Sequence, residues 1–137
     1  MELSEQIFVP TQIGYNGKPE KFISKNKTKE MTIFDSLLFY ENRDEKYYNV
    51  INDMFVFIDL IEVLKAFTGK KLQQEKEYSF SDKFTAKITQ KDKNIYLKIH
   101  FKNYSNFLFL DKFECSSLAA KFSKILQKCE PWQELDQ

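Results

Sequence analysis

One short pattern occurs twice in this chain, and it restricts the fold more than any other feature of the sequence. Residues 55–67 read FVFIDLIEVLKAF and residues 107–122 read FLFLDKFECSSLAAKF. In both copies an aspartate follows a pair of phenylalanines, and a glutamate follows three residues later. Asp-x-x-Glu is the spacing of a capping box, in which both side chains bind backbone amides at the start of a helix. The repeat therefore predicts two copies of a short strand that leads directly into a helix. The capping pairs are Asp59 with Glu62 and Asp111 with Glu114.

The two helices are predicted to differ in length. The first covers about residues 59–68, because Gly69 is a common residue type at a helix C-terminus. The second covers about residues 111–129 and ends before Pro131, which cannot continue a helix. Trp132 follows, and we expect it to pack back on the core. Five residues of the second helix recur at the spacing of one buried face. They are Cys115, Leu118, Phe122, Ile125 and Cys129.

Strands are predicted before each helix, most clearly where apolar and polar residues alternate with a period of two. In the second half, Lys91-Asp92-Lys93-Asn94 suits a hairpin turn between two such segments. The predicted strands of the second half are 75–80, 83–90, 94–102 and 106–110. Those of the first half are 5–9, 20–25, 32–40 and 46–51, the last of which could continue into 54–58. The predicted fold class is therefore α+β, with a four-stranded antiparallel sheet followed by a helix, twice over (ββββα twice).

We expect one domain over residues 1–137, with pseudo-repeats of about 1–70 and 71–137, because no linker-like segment separates the halves. Hydrophobic residues make up 42% of the chain, which is enough for a sizeable core. No apolar run approaches the about 20 residues of a membrane span, and the acidic start lacks the features of a signal or presequence. The predicted location is an intracellular, reducing compartment, either cytoplasm or nucleoid, or an organelle if a presequence has been removed. Two cysteines 14 residues apart in one helix would lie about 21 Å apart, too far for a disulfide.

Charge is unevenly distributed along a chain whose formal net charge is only +1. Residues 18–29 carry five lysines against Glu20, and residues 83–102 carry six lysines against Asp92. Residues 35–62 are acidic, with seven carboxylates against Arg43 and Lys46. Such a distribution can place a basic face on a nearly neutral protein. Lysine meets phosphate as a point charge, so contact with a nucleic-acid backbone is favoured over a code of base contacts in duplex DNA.

The sequence lacks the usual signatures of enzymes and of metal or cofactor sites. It has no glycine-rich phosphate loop, no His-Glu-x-x-His, no Gly-x-Ser-x-Gly and no Cys-x-x-Cys. Its single histidine, His100, cannot form a metal site without several converging ligands. Capping accounts for the four repeated acids without a catalytic role. We therefore predict no enzymatic activity, no cofactor, no metal and no small-molecule substrate.

A polar face of the second sheet is the strongest candidate for a binding surface. If the helices cover one side of that sheet, the other side presents hydroxyls, lysines and one aromatic ring to solvent. Ammonium groups pair with phosphates, and rings stack on unpaired bases. The alternative interpretation is that lysine and threonine only keep an exposed sheet face soluble. The residues of this face are Thr85, Lys87, Thr89, Tyr96, Lys98, His100 and Lys102.

The order of four strands and a helix, twice, with a tryptophan after the second helix, resembles the Whirly family and the related mitochondrial guide-RNA-binding proteins. Tyr15, Gly17 and Lys18 are similar to the Tyr-Lys-Gly-Lys motif of Whirly proteins, although Pro19-Glu20 departs from the alanines that follow it there. Phe107, Glu114 and Pro131-Trp132 look like the start and end of the family's last helix. A coactivator-type single-strand binder with one repeat per subunit is similar as well. The resemblance implies binding of single-stranded DNA or RNA and assembly into a homotetramer.

The leading hypothesis is a single-stranded nucleic-acid-binding protein with little sequence specificity, which acts by phosphate neutralisation and base stacking. The near-neutral charge and the acidic middle segment favour an alternative, a protein-interaction module or inhibitor subunit from a phage or mobile element. The predicted nucleic-acid-binding residues are Tyr15, Lys18, Lys21, Lys87, Tyr96, Lys98, His100 and Lys102.

Overall fold

The computed structural model describes residues 13–15, 17–24, 26–42 and 45–129. Its elements follow the predicted order of four strands and a helix, twice, so the α+β prediction is confirmed. Both sheets are antiparallel, and in each the strands lie in the order of the chain. The first repeat comprises β1 (Glu20–Ile23), β2 (Lys29–Ile33), β3 (Leu37–Glu41), β4 (Lys46–Ile51) and α1 (Met54–Thr68). The second comprises β5 (Glu77–Phe80), β6 (Phe84–Lys91), β7 (Asn94–Phe101), β8 (Leu108–Leu110) and α2 (Lys112–Leu126).

The start of α1 differs from the prediction. The helix begins at Met54, and its cap is Asp53, whose carboxylate accepts hydrogen bonds from the amides of Phe55 and Val56. The predicted capping box of Asp59 with Glu62 and the predicted strand over 54–58 are therefore wrong. Phe55 and Phe57 suggested a strand, but they lie on different sides of the helix: Phe57 is fully buried and Phe55 is 40% exposed.

The end of α1 also differs in detail. Gly69 has an ordinary φ of −85°, and the left-handed residue is Lys70, with a φ of 59°. The amide of Lys70 donates to the carbonyl of Phe67, and the amide of Lys71 donates to the carbonyl of Ala66. This pair of bonds is a Schellman motif, in which residue 70 occupies the position usually taken by glycine.

The second helix confirms its predicted capping box and ends earlier than predicted. The Glu114 amide donates to Asp111 Oδ1 at 2.7 Å, and the Asp111 amide donates to Glu114 Oε1 at 3.0 Å. Four residues of the predicted stripe are buried, whereas Cys129 lies beyond the helix and is half-buried. Burial raises the pKa of the Cys129 thiol to about 11. Pro131 and Trp132 lie outside the described residues.

The strands agree best in the second half, where each predicted segment overlaps its strand to within two residues at either end. In the first half, 46–51 is correct and 20–25 is two residues too long. The predicted strand 32–40 is wrong, because residues 34–36 form a turn between two strands that pair with each other. Phe34 in that turn is 47% exposed, although its apolar side chain extended the apparent strand pattern. The predicted strand 5–9 lies outside the described residues.

The predicted hairpin turn between β6 and β7 has a definite geometry. Lys91 pairs with Asn94, and the two residues between them have positive φ, 52° for Asp92 and 68° for Lys93. Two left-handed central residues are the mark of a type I′ turn, which favours glycine at its second position.

We expect Lys93→Gly to raise the free energy of unfolding by about 0.5–1 kcal/mol, because glycine adopts a positive φ without a steric cost. Lys91→Gly is the matched control. It replaces a nearby lysine whose φ is not positive, so it should lower stability by about 0.5–1 kcal/mol. Urea unfolding followed by circular dichroism measures both, and a loss of stability in Lys93→Gly would contradict the turn assignment.

Buried side chains from both repeats form one continuous hydrophobic cluster. Phe122 of α2 contacts Phe22 of β1 and Phe57 of α1, with ring centroids 5.2 and 5.3 Å apart. Tyr104, in the β7–β8 loop, packs edge-on against Phe39 and Tyr48 of the first sheet. Its hydroxyl donates a hydrogen bond to Glu41. The two repeats therefore share one core.

Candidate nucleic-acid interface

Strand β7 separates a buried side from an open side. Of the four apolar residues predicted to share one side, Leu97, Ile99 and Phe101 are fully buried on the side that packs on α2, whereas Ile95 at the start of the strand is 44% exposed. The alternate residues Tyr96, Lys98 and His100 are half-buried on the opposite side. The same alternation in β6 buries Phe84, Ala86 and Ile88 and leaves the residues between them half-buried. Within the described part of the chain, this opposite side carries no helix. We call it the second-sheet face; its residues are Thr85, Lys87, Thr89, Lys91, Tyr96, Lys98, His100, Phe107 and Phe109.

Strand register brings the predicted residues of this face together. Residues directly opposite in neighbouring strands share a side of the sheet. Lys87 lies opposite Lys98, and Lys98 lies opposite Phe109. Thr85 lies opposite His100, and Thr89 lies opposite Tyr96. Four of the eight predicted binding residues, Lys87, Tyr96, Lys98 and His100, therefore form one continuous surface.

Two clusters on the second-sheet face each combine two rings with an ammonium group. In the first, the rings of His100 and Phe107 have centroids 4.9 Å apart, and Lys98 Nζ lies 4.0 Å from the Phe107 centroid. Phe107 remains 44% exposed. The distance and placement of the ammonium group are those of a cation–π contact.

In the second cluster, Tyr96 and Phe109 meet edge to face with centroids 6.4 Å apart, and Lys91 Nζ lies 4.9 Å from the Phe109 centroid. The two phenylalanines are two residues apart on the chain, which is about 7 Å along an extended strand. The face thus offers aromatic surface and positive charge at two neighbouring places.

Sequence reasoning missed Phe107, Phe109 and Lys91 as members of this face. Both phenylalanines belong to the repeated pattern that leads into α2, and that pattern predicts a strand without indicating which of its residues are exposed. The signal was nevertheless present in β8, where Leu108 and Leu110 are buried on one side. Their alternation places the two phenylalanines on the other side.

The remaining predicted residues do not join this surface. Tyr15 is buried and forms an isolated bridge with Cys129, so its ring is not presented to a ligand. That ring lies against Gly17, where an added Cβ would meet the tyrosine hydroxyl and ring carbons. Lys18 is exposed in the loop before β1. Lys102 follows β7, and its Nζ lies 3.8 Å from Asp82 in an exposed ion pair, a kind of contact that stabilises little.

Lys21 lies on the first sheet, which has an open side of its own. There the rings of Tyr40 and Tyr47 have centroids 4.9 Å apart. The Tyr47 hydroxyl donates to Glu30 Oε2 at 2.6 Å, and this hydrogen bond, more than burial, raises the pKa of Tyr47. Lys21 Nζ lies 3.7 Å from the same carboxylate oxygen. The carboxylate at the centre makes this side a poorer surface for phosphate than the second-sheet face.

Among residues 13–15, 17–24, 26–42 and 45–129, no group of three or more His, Cys, Asp or Glu side chains is placed to hold a metal ion. Nor does the described part of the chain contain a helix long and apolar enough to cross a membrane. No family model, curated protein or solved structure matches this chain.

Proposed function

We propose that this protein is a non-enzymatic binder of single-stranded DNA or RNA with little sequence specificity. The observation that carries the proposal is the second-sheet face, where two pairs of rings each lie beside a lysine ammonium. Rings stack on unpaired bases of any sequence, and lysines neutralise the phosphates between them. Homo-oligomerisation, which the resemblance to Whirly proteins implies, is a further part of the proposal.

The shape of the face supports a single strand over a duplex. Among the described residues, no helix projects from this face to enter a major groove, and the chain contains one arginine, Arg43, for bidentate contacts to guanine. Bases of a duplex are stacked on each other, so their faces are not available to Phe107 or Phe109. We therefore expect unpaired bases to be preferred over paired ones.

A fluorescence-anisotropy titration with a labelled 30-mer oligonucleotide at low salt tests the proposal, with a duplex of the same length as the comparison. Absence of binding to the single strand would refute the proposed function. Tight binding to duplex alone would refute the stacking part of it.

A charge variant tests the electrostatic part. For single strands, the logarithm of the binding constant falls with the logarithm of salt concentration by about 0.7 per neutralised phosphate. Replacing Lys87 and Lys98 with glutamine should therefore reduce that slope by about 1.4. The matched control replaces Lys65 and Lys124, which lie on the helices, and should leave the slope unchanged. Equal effects of both pairs would contradict the assignment of the second-sheet face.

A further inference from the structure

A groove beside β1 lies apart from the second-sheet face. It has a volume of about 200 Å³ and lies between β1 and β2 of the first sheet, β8 of the second sheet, and α2. Its apolar lining comes from both repeats and includes Phe22, Met31, Leu108, Leu110 and Leu118. Lys29 and Lys121 lie at its polar rim together with Glu30 and Glu114.

The strand beside this groove has an open edge. β1 is the first strand of its sheet and pairs, within the described residues, with β2 alone. The Ser24 amide donates to the Lys29 carbonyl at 2.9 Å. Hydrogen-bonded pairs alternate along an antiparallel ladder, so the backbone groups of Lys21 and Ile23 point away from β2. These amides and carbonyls can form hydrogen bonds with an added strand. Addition of a strand to a sheet edge is a common way for a protein to bind an extended peptide.

The charges at the rim are unequally satisfied. Glu30 lies 3.7 Å from Lys21 Nζ, which compensates its charge, so Glu114 is the one rim carboxylate without a lysine beside it. Against it stand Lys29 and Lys121, neither of which forms an ion pair with a described residue, although Lys121 Nζ lies 5.5 Å from the Phe22 ring centroid. The unbalanced charge at the rim is therefore positive, which favours an acidic group in a ligand.

The geometry of an added strand determines where the acidic group of the ligand would lie. A residue placed beside Phe22 in an added antiparallel strand points its side chain to the same side as Phe22, into the groove. The residue two positions earlier in the ligand lies beside Ser24 and points to the same side, near Lys29, which pairs with Ser24. We propose that the groove binds an extended segment of a partner protein as an additional strand, with an acidic residue two positions before an apolar one. This inference does not depend on nucleic-acid binding.

Labelled synthetic peptides test the proposal on the full chain. The probe contains Thr-Glu-Thr-Phe-Thr, whose Glu and Phe lie on one side of a strand, and the control contains Thr-Thr-Glu-Phe-Thr, which places them on opposite sides. We expect at least tenfold tighter binding of the probe by fluorescence anisotropy. Equal binding of the two peptides, or none at millimolar concentration, would overturn the proposal.

Two variants locate the binding. Lys29→Gln removes the charge beside the ligand's acidic residue and should weaken probe binding about tenfold, whereas Lys124→Gln, on α2 outside the groove lining, should change it less than twofold. Ile23→Pro removes an edge amide that does not bond to β2, so it should also weaken binding at least tenfold; an unchanged thermal midpoint shows that it folds. Unaltered binding to Lys29→Gln would overturn the proposal even if Ile23→Pro does not fold.

A segment of this chain itself is the alternative occupant of the groove, and a substitution in that segment distinguishes it from a partner protein. Residues 5–7 of this chain, Glu-Gln-Ile, have the same spacing of acidic and apolar residues. If the probe binds the Ile7→Asp variant and not the native chain, the occupant is the chain's own segment or that of a second copy, and the proposal of a partner protein fails. Equal binding to both chains supports a partner protein.

Discussion

Replacing Phe122 with alanine is expected to lower the free energy of unfolding by about 3–5 kcal/mol, the usual cost of removing a buried phenylalanine ring. Its ring is fully buried and contacts both Phe22 and Phe57, so the cavity would lie where β1, α1 and α2 meet. For a chain of this size the change corresponds to a drop of about 10–20 °C in the thermal midpoint. Circular dichroism during thermal or urea unfolding measures it.

The matched control for this prediction is Phe113→Ala on the same helix. Phe113 is 68% exposed, so its removal should cost less than about 1 kcal/mol. Because Phe122 belongs to a core shared by both repeats, the loss should appear in a single cooperative transition. Two separate transitions, with only one displaced, would show that the repeats fold independently and would contradict the shared core.

The second large effect concerns binding. Removal of both Phe107 and Phe109 by alanine substitution should weaken single-strand binding by about 2–6 kcal/mol, since stacking on an aromatic side chain contributes about 1–3 kcal/mol per base. The measurement is the anisotropy titration at one fixed salt concentration. Because the substitutions remove no charge, the dependence of binding on salt should be unchanged. This separates stacking from the electrostatic part that we propose for Lys87 and Lys98.

A matched control exists for the loss of exposed phenylalanine. Phe34 is 47% exposed, close to the 44% of Phe107, but it lies in the turn between β2 and β3. Phe34→Ala should therefore leave the dissociation constant within about twofold, well under the loss of one stacked base. Comparable losses in the two variants would mean that general surface hydrophobicity, and not the second-sheet face, governs binding.

Fold class was predictable because two independent patterns agreed. Period-two alternation marked β6 and β7, and Asp111 with Glu114 marked the start of α2. The start of α1 was not predictable from the repeat, because Asp59 and Glu62 have capping spacing without capping. Asp53 lies immediately before an apolar helical pattern and is the better cap, but the comparison of the two copies obscured it. Asp59 lies inside the helix, where burial is the main cause that raises the pKa of its carboxyl group.

The second-sheet face, the proposed binding surface, was predictable in part. Alternation alone placed Lys87, Tyr96, Lys98 and His100 on one side. Lys98 contacts Phe107 from 9 residues away, and Lys91 contacts Phe109 from 18 residues away. These contacts depend on the registers of β6 with β7 and of β7 with β8, which the sequence does not specify. The motif resemblance predicts a binding role for Tyr15. Its burial instead follows from the bridge to Cys129 and from the absence of a side chain at Gly17.

The carboxylate of Glu30 at the centre of the first sheet's open side has a consequence for how this molecule meets a polyanion. One side of the protein carries an acid that contacts Lys21 and Tyr47. Another side carries the ammonium groups of Lys91 and Lys98, which lie over phenyl rings and form no ion pair with a described residue. The formal net charge of +1 therefore conceals an uneven charge distribution, with one side of the protein more positive than the other. In the field of a polyanion it experiences a torque that turns the lysine-bearing side inward, so alignment can precede contact.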